Sequence, residues 1–176
     1  MRSIRVTLFL VLALVFAAPA EAAQLPSRKS GLWEVRMSIA GRNGPPQVIE
    51  QCIDAATDQL MQSSAGPYSA AAFPDRDVQR SGDSITINSK CTLGGKPATA
   101  HAVITGSFDG AYTMTVTSQS EAVPGSDLTM TIDGRWLGSC APDQRPGDMI
   151  FSNGRKLNIL ELMQHPPSPG VPPLPR

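Results

Sequence analysis

The chain has 176 residues, enough for one modest domain rather than two. Its 15 basic and 15 acidic side chains cancel, and the closest basic pairs, Arg28-Lys29 and Arg155-Lys156, stand alone. Nucleic acid and anionic membrane surfaces, which need massed Lys and Arg, are therefore excluded as partners.

Residues 1–23 read as a secretory signal peptide. Arg2 and Arg5 precede an apolar run of 12 residues from Val6 to Ala17, and Ala18-Pro19-Ala20 and Ala20-Glu21-Ala22 offer small-x-small cleavage sites. That run is too short to cross a hydrocarbon layer of about 30 Å. No cysteine follows it to take a lipid. The expected product is exported, periplasmic and without a stable membrane span, and loss of Arg2, Arg5 and Glu21 leaves 13 basic against 14 acidic groups.

From Gly31 to Cys140 the residues favour strands, with Val, Ile, Thr and Met alternating between Gly, Pro, Asn and Asp punctuation. Strand one is expected over Leu32 to Ala40 and strand two over Gln47 to Ile53. Asp54 then suits an N-cap for a short helix to about Gln62. A loop through Ala72 leads to a hairpin about Ser81-Gly82-Asp83, between Asp75–Arg80 and Ser84–Thr92. The next turn, Phe108-Asp109-Gly110-Ala111, reads as type I′ with Phe108 opposite Ala111. On that register His101, Val103, Thr105, Tyr112, Met114 and Val116 face inward, as do Leu128, Met130, Ile132 and Trp136 on the last strand. Thr113, Thr115, Thr117, Thr129, Thr131, Asp133 and Arg135 face water.

Alternation of this kind marks an antiparallel sheet with one solvated face. The fold class is mainly β: a meander of about seven strands curled into a half-open barrel or roll, with short helices after strand two and near the C-terminus. The β-rich domain spans residues 31–140. Residues 141–165 form an extension in which Leu157, Leu160 and Met163 share one face of a short helix. In residues 166–176, 6 of 11 positions are proline, the composition of an extended, disordered tail.

An exported chain with three cysteines is expected to hold one disulfide and one free thiol. In a meander, Cys91 and Cys140 end up at opposite ends of the sheet, about 25 Å apart over eight residues, too far to bond. Cys52 is therefore in the bond, with Cys91 or Cys140. Counting back across the hairpin sets Cys91 opposite Ala72 to Pro74, where there is no cysteine. Cys52–Cys140 is the expected disulfide and Cys91 the free thiol.

Gly31-Leu32-Trp33-Glu34-Val35, Cys52-Ile53-Asp54, Cys91 after the hairpin, and Gly134-Arg135-Trp136-Leu137-Gly138-Ser139-Cys140 together resemble the bacterial domain-of-unknown-function family numbered 3617. The resemblance implies an exported β-rich protein with no assigned activity, and it agrees with pairing Cys52 to Cys140. Members usually carry a further cysteine ahead of the hairpin, where Ala72, Phe73 and Pro74 stand here, and an acid where Ser139 stands. Gly31-x-Trp33 with Arg135 is also similar to lipocalin-type barrels, in which Trp closes one end beneath an Arg.

No catalytic constellation is legible, so the chain reads as non-enzymatic, with no cofactor. The two histidines and three cysteines are scattered without metal-ligand spacing, so no metal is expected. Met37, Met114 and Met130 read as adaptable packing before soft metal ligands. The leading reading is a domain that binds a small apolar ligand in a barrel-like interior lined by Trp33, Tyr112, Met114, Met130 and Trp136, with His101 near one end. The alternative is a structural or protein-interaction component of the bacterial envelope with no small-molecule ligand.

Overall fold

The computed structural model describes residues 25–64, 75–122, 125 and 127–165. The signal peptide and the proline-rich tail expected from the sequence lie outside the described residues. Eleven elements follow in order: β1 (Gly31–Ile39), β2 (Gln47–Ile53), α1 (Ala55–Ser64), β3 (Asp75–Ser81), β4 (Ser84–Leu93), β5 (Lys96–Gly106), β6 (Ala111–Ser120), β7 (Leu128–Gly138), β8 (Asp148–Phe151), β9 (Lys156–Asn158) and α2 (Ile159–Gln164). All the strands join one antiparallel sheet in the order β3-β4-β5-β6-β7-β1-β2-β8-β9, which does not close.

Among the described residues the sheet has nine strands where about seven are expected. β8 and β9 come from the extension after Cys140, and β8 pairs with β2 through Ile49–Phe151, Glu50–Ile150 and Gln51–Met149. With 4 and 3 residues they are too short to show alternation. Leu157, expected on a helix, belongs to β9 opposite Met149. The helix starts two residues later because Asn158 caps it, its Oδ1 accepting the Leu160 N–H at 2.9 Å. The cap expected at Asp54 is present. Its carboxylate takes the Thr57 N–H at 2.8 Å, and this bond, with the Thr57 hydroxyl, holds its pKa below the ordinary aspartate value.

One register differs from expectation. Gly106 stands opposite Tyr112, Ile104 opposite Met114 and Ala102 opposite Val116, one residue away from the pairing that a two-residue Asp-Gly turn would impose. The turn instead uses Ser107 to Gly110, with the Gly110 N–H donating to the Ser107 carbonyl at 3.2 Å and the Ser107 N–H to the Ala111 carbonyl at 2.7 Å. The positive φ falls on Gly106, at 95°, where a Cβ would meet the Ala111 carbonyl oxygen. Because side chains alternate with period two, the slip exchanges the faces of β5. Ala98, Ala100, Ala102 and Ile104 are buried, and His101 is exposed. On β6 and β7 the expected faces hold, with Tyr112, Val116 and Met130 buried.

Cys52 and Cys140 form the disulfide, with a Cα separation of 5.5 Å across a sequence separation of 88. It ties β2 to the segment leaving β7. Cys91 is free and partly buried on β4, opposite Ala98. A loop this long makes the disulfide worth roughly 4 kcal/mol through the entropy of the unfolded chain. Replacing both cysteines by serine should therefore cost 2–4 kcal/mol, about the usual range, in denaturant unfolding. A loss below about 1 kcal/mol would contradict that role.

Asp148 anchors the added hairpin. Its side chain is 1% exposed and accepts hydrogen bonds from Asn158 Nδ2 at 2.9 Å, the Arg145 N–H at 2.9 Å and Lys156 Nζ at 2.8 Å. Burial disfavours its charge, but these donors outweigh it and lower the pKa from the usual 3.8. A depressed carboxylate stabilises the fold above its unfolded pKa and loses that contribution as pH falls through the folded value. The stability gap between the native chain and Asp148→Asn should be full above pH 3.8 and shrink below it. A gap independent of pH across that acid range would refute this assignment.

Candidate functional site

In an antiparallel sheet, residues directly opposite one another share a face, so the register defines a continuous inner surface. Trp33, Val35 and Met37 of β1 lie opposite Trp136, Gly134 and Ile132 of β7; Gly134 and Ile132 lie opposite Tyr112 and Met114 of β6. Side chains from eight neighbouring strands, β3 through β8 in sheet order, line one cavity of about 240 Å³. A flat sheet would spread those strands over roughly 34 Å at the usual spacing. The inner face is therefore concave, and the cavity is its trough.

Small residues make the space. Ala100 and Ala102 occupy the inner face of β5 beside Ile87 of β4 and Val116 of β6, where larger side chains would fill the trough. The walls are apolar and soft: Met37, Met114, Met130 and Met149 come from four strands and Met61 from α1. Unbranched thioether side chains can adjust to differently shaped apolar contents. Tyr112 lies over Gly134, whose missing Cβ leaves room for the phenol ring. Burial pushes the Tyr112 hydroxyl above its ordinary pKa, so it stays protonated at neutral pH.

One end of the trough is shut by the segment before β1. Asp58 of α1 is fully buried and accepts from the Arg28 N–H at 2.7 Å, Arg28 Nε at 2.8 Å and Gln62 Nε2 at 2.8 Å. The Arg28 guanidinium completes the pair at 2.8 Å and lies 5.6 Å from the Trp33 ring centre. Trp33 Nε1 donates to the Lys29 carbonyl at 2.7 Å and Trp136 Nε1 to the Ser30 carbonyl at 3.2 Å. Lys29 Nζ sits 3.6 Å from the Trp136 ring centre, and the Lys29 backbone N–H donates to the Phe108 carbonyl of the β5–β6 turn at 2.8 Å. Residues 28–30 thus form a strap bonded to both tryptophans, to α1 and to a turn.

Of the residues expected to line the interior, Tyr112, Met114 and Met130 do so. Trp33 is fully buried beneath the strap and Trp136 packs at its side, so both hold the closed end of the trough. His101 is a correction: the one-residue register change turns it to the outer face, where Nδ1 lies 2.8 Å from Asn88 Oδ1. Arg135 is also outside, bonded to Glu34 at 3.3 Å, and the guanidinium above Trp33 is that of Arg28. Among the described residues, no group of three His, Cys, Asp or Glu is placed to hold a metal ion. Sequence reasoning missed Arg28, Gln51, Arg76, Ala100 and Ala102. The repeat Ala98-x-Ala100-x-Ala102 was a usable signal, since three small residues at period two leave one strip of a sheet face empty.

An open antiparallel sheet curled over an apolar trough and shut at one end by an ion-paired strap defines a β-rich half-barrel. The chain belongs to the family described as protein of unknown function (DUF3617), whose model matches residues 28–140. That span starts at the strap and ends at the disulfide; β8, β9 and α2 lie beyond it. No curated protein and no solved structure matches the chain.

Because Asp58 is fully buried among donors, removing its carboxylate leaves an unpaired guanidinium inside the closed end. Asp58→Ala should cost about 3–5 kcal/mol in denaturant unfolding, with a red shift of tryptophan emission as the strap lifts from Trp33. Unchanged stability and emission would show that the strap does not depend on the pair.

Proposed function

We propose that this protein is an exported, non-catalytic carrier that holds a small apolar ligand in the trough of its sheet. The observation behind the reading is the cavity of about 240 Å³ kept open by Ala100 and Ala102 within methionine-rich walls. Cores are normally packed without voids larger than a water molecule. A largely apolar space bordered by a few polar side chains has the character of a ligand pocket, here one somewhat below the common size range. Export rests on the signal-like residues 1–23 and on the Cys52–Cys140 disulfide, a bond that persists in oxidising compartments such as the periplasm.

Filling the trough should abolish uptake without unfolding the protein. Ala100→Phe is expected to remove binding of a hydrophobic fluorescent probe and any co-purifying small mass seen by native mass spectrometry, while thermal unfolding remains cooperative. Thr115→Val, on the exposed side of β6, should leave both unchanged. Equal probe binding by Ala100→Phe and the native chain would refute the carrier reading. A native chain that takes up no probe and releases no small mass would favour an envelope structural role.

A further inference from the structure

Among the described residues, the trough is lined by one charge without a counter-charge. Arg76 of β3 stands opposite Ser89 of β4, which stands opposite Ala100 of β5, so all three side chains share the inner face and line the cavity. Its acidic neighbours on the same strand, Asp75 and Asp77, project to the other face by alternation. Among the described residues Arg76 has no ion pair or hydrogen bond, whereas Arg28, the other guanidinium at the cavity, is committed to Asp58. Arg76 is half-buried, and desolvation lowers its pKa, as expected for a cation without a counter-charge. An arginine remains protonated regardless, so its half-buried charge is free to pair with an anion entering the trough.

A second polar atom facing the same space is also unmatched. Gln51 Oε1 of β2 is buried without a hydrogen-bond partner, the one such side-chain atom among the described residues. Nearly all buried polar atoms in native folds are satisfied, so this acceptor marks a second polar spot in the trough, separate from Arg76 and six strands away in sheet order. A guanidinium on β3 and an acceptor on β2 therefore sit in an otherwise apolar trough. The remaining lining is aliphatic, thioether or aromatic except for Arg28, Gln62 and Ser89, and the first two are bonded around Asp58.

Resting on the carrier reading above, we propose that the ligand is a single-chain amphiphile whose anionic head, a carboxylate or a phosphate, pairs with Arg76 while its chain lies along the methionine walls. A cavity below the roughly 300–1,000 Å³ typical of ligand pockets favours one short chain over two. The planar guanidinium matches either head group through paired N–H donors.

Calorimetric titration of the disulfide-bonded protein with dodecanoate, dodecyl phosphate and dodecanol tests this, since the three probes share a chain and differ in the head. At least one anionic probe should bind about tenfold more tightly than dodecanol, the scale of one charge-assisted hydrogen bond. Arg76→Gln should bring the anionic probes down to the level of dodecanol, and Arg76→Lys should keep part of the preference. The stronger of the two anions then identifies the head as carboxylate or phosphate. Equal binding of all three probes would overturn the head-group assignment and leave the carrier reading standing. Failure of every probe to bind would overturn both. An inward-facing charge on an edge strand can instead serve to block strand pairing between molecules. If Arg76→Gln keeps the anion preference but self-associates in sedimentation velocity, Arg76 is an edge guard and the proposal falls.

Discussion

A sheet that is apolar on one face and wet on the other must hide the apolar face, and this constraint governs the molecule. Only two short helices are available among the described residues, too little to cover nine strands. The sheet therefore bends over its own inner face, and the right-handed twist of antiparallel strands favours that curl. Bending alone leaves an open end. The Arg28–Asp58 pair closes it by joining the strap before β1 to α1 above Trp33. Because a buried ion pair costs desolvation, its value lies as much in fixing one position for the strap as in net stability.

The family match begins at residue 28 and ends at residue 140, which are the strap arginine and the disulfide cysteine. Those two residues bound the closed end in physical terms as well. Arg28 pins the entering chain to α1, and Cys140 bonds the chain leaving β7 to Cys52 of β2, next to Ile53 and the Asp54 cap. Strap, helix and disulfide thus converge where β1, β2 and β7 meet, while the trough runs across the inner face from β3 to β8 in sheet order.

Much of this was legible in the sequence, for a simple reason: alternation reports the face of a long strand without knowledge of its partner. Strand two was placed over Gln47–Ile53, the helix cap at Asp54 and the disulfide at Cys52–Cys140. The β5–β6 turn was misread because Asp109-Gly110 is compatible with a two-residue turn, and only the backbone of Gly106 shows that a four-residue turn is used. That single residue of slip moved His101 out of the proposed site and Ala100 and Ala102 into it. β8 and β9 were missed because strands of this length carry no period. Alternation puts Trp33 and Trp136 on the inner face but cannot show that their indole N–H groups bond the strap carbonyls at Lys29 and Ser30. In the run Asp75-Arg76-Asp77 an arginine looks like ordinary surface charge until the register separates it from its neighbours.

Whether the trough admits a ligand is something its methionines are placed to report. Met37, Met61, Met114, Met130 and Met149 line the cavity, whereas Met163 on α2 is 54% exposed and lies away from it. The most direct measurement is a methyl NMR spectrum of the protein labelled with carbon-13 at its methionine methyls, recorded with and without a medium-chain amphiphile. With a ligand in the trough, the five cavity methyls should shift and saturate together, and Met163 should not move. Cavity methyls that stay fixed while Met163 moves would contradict that placement.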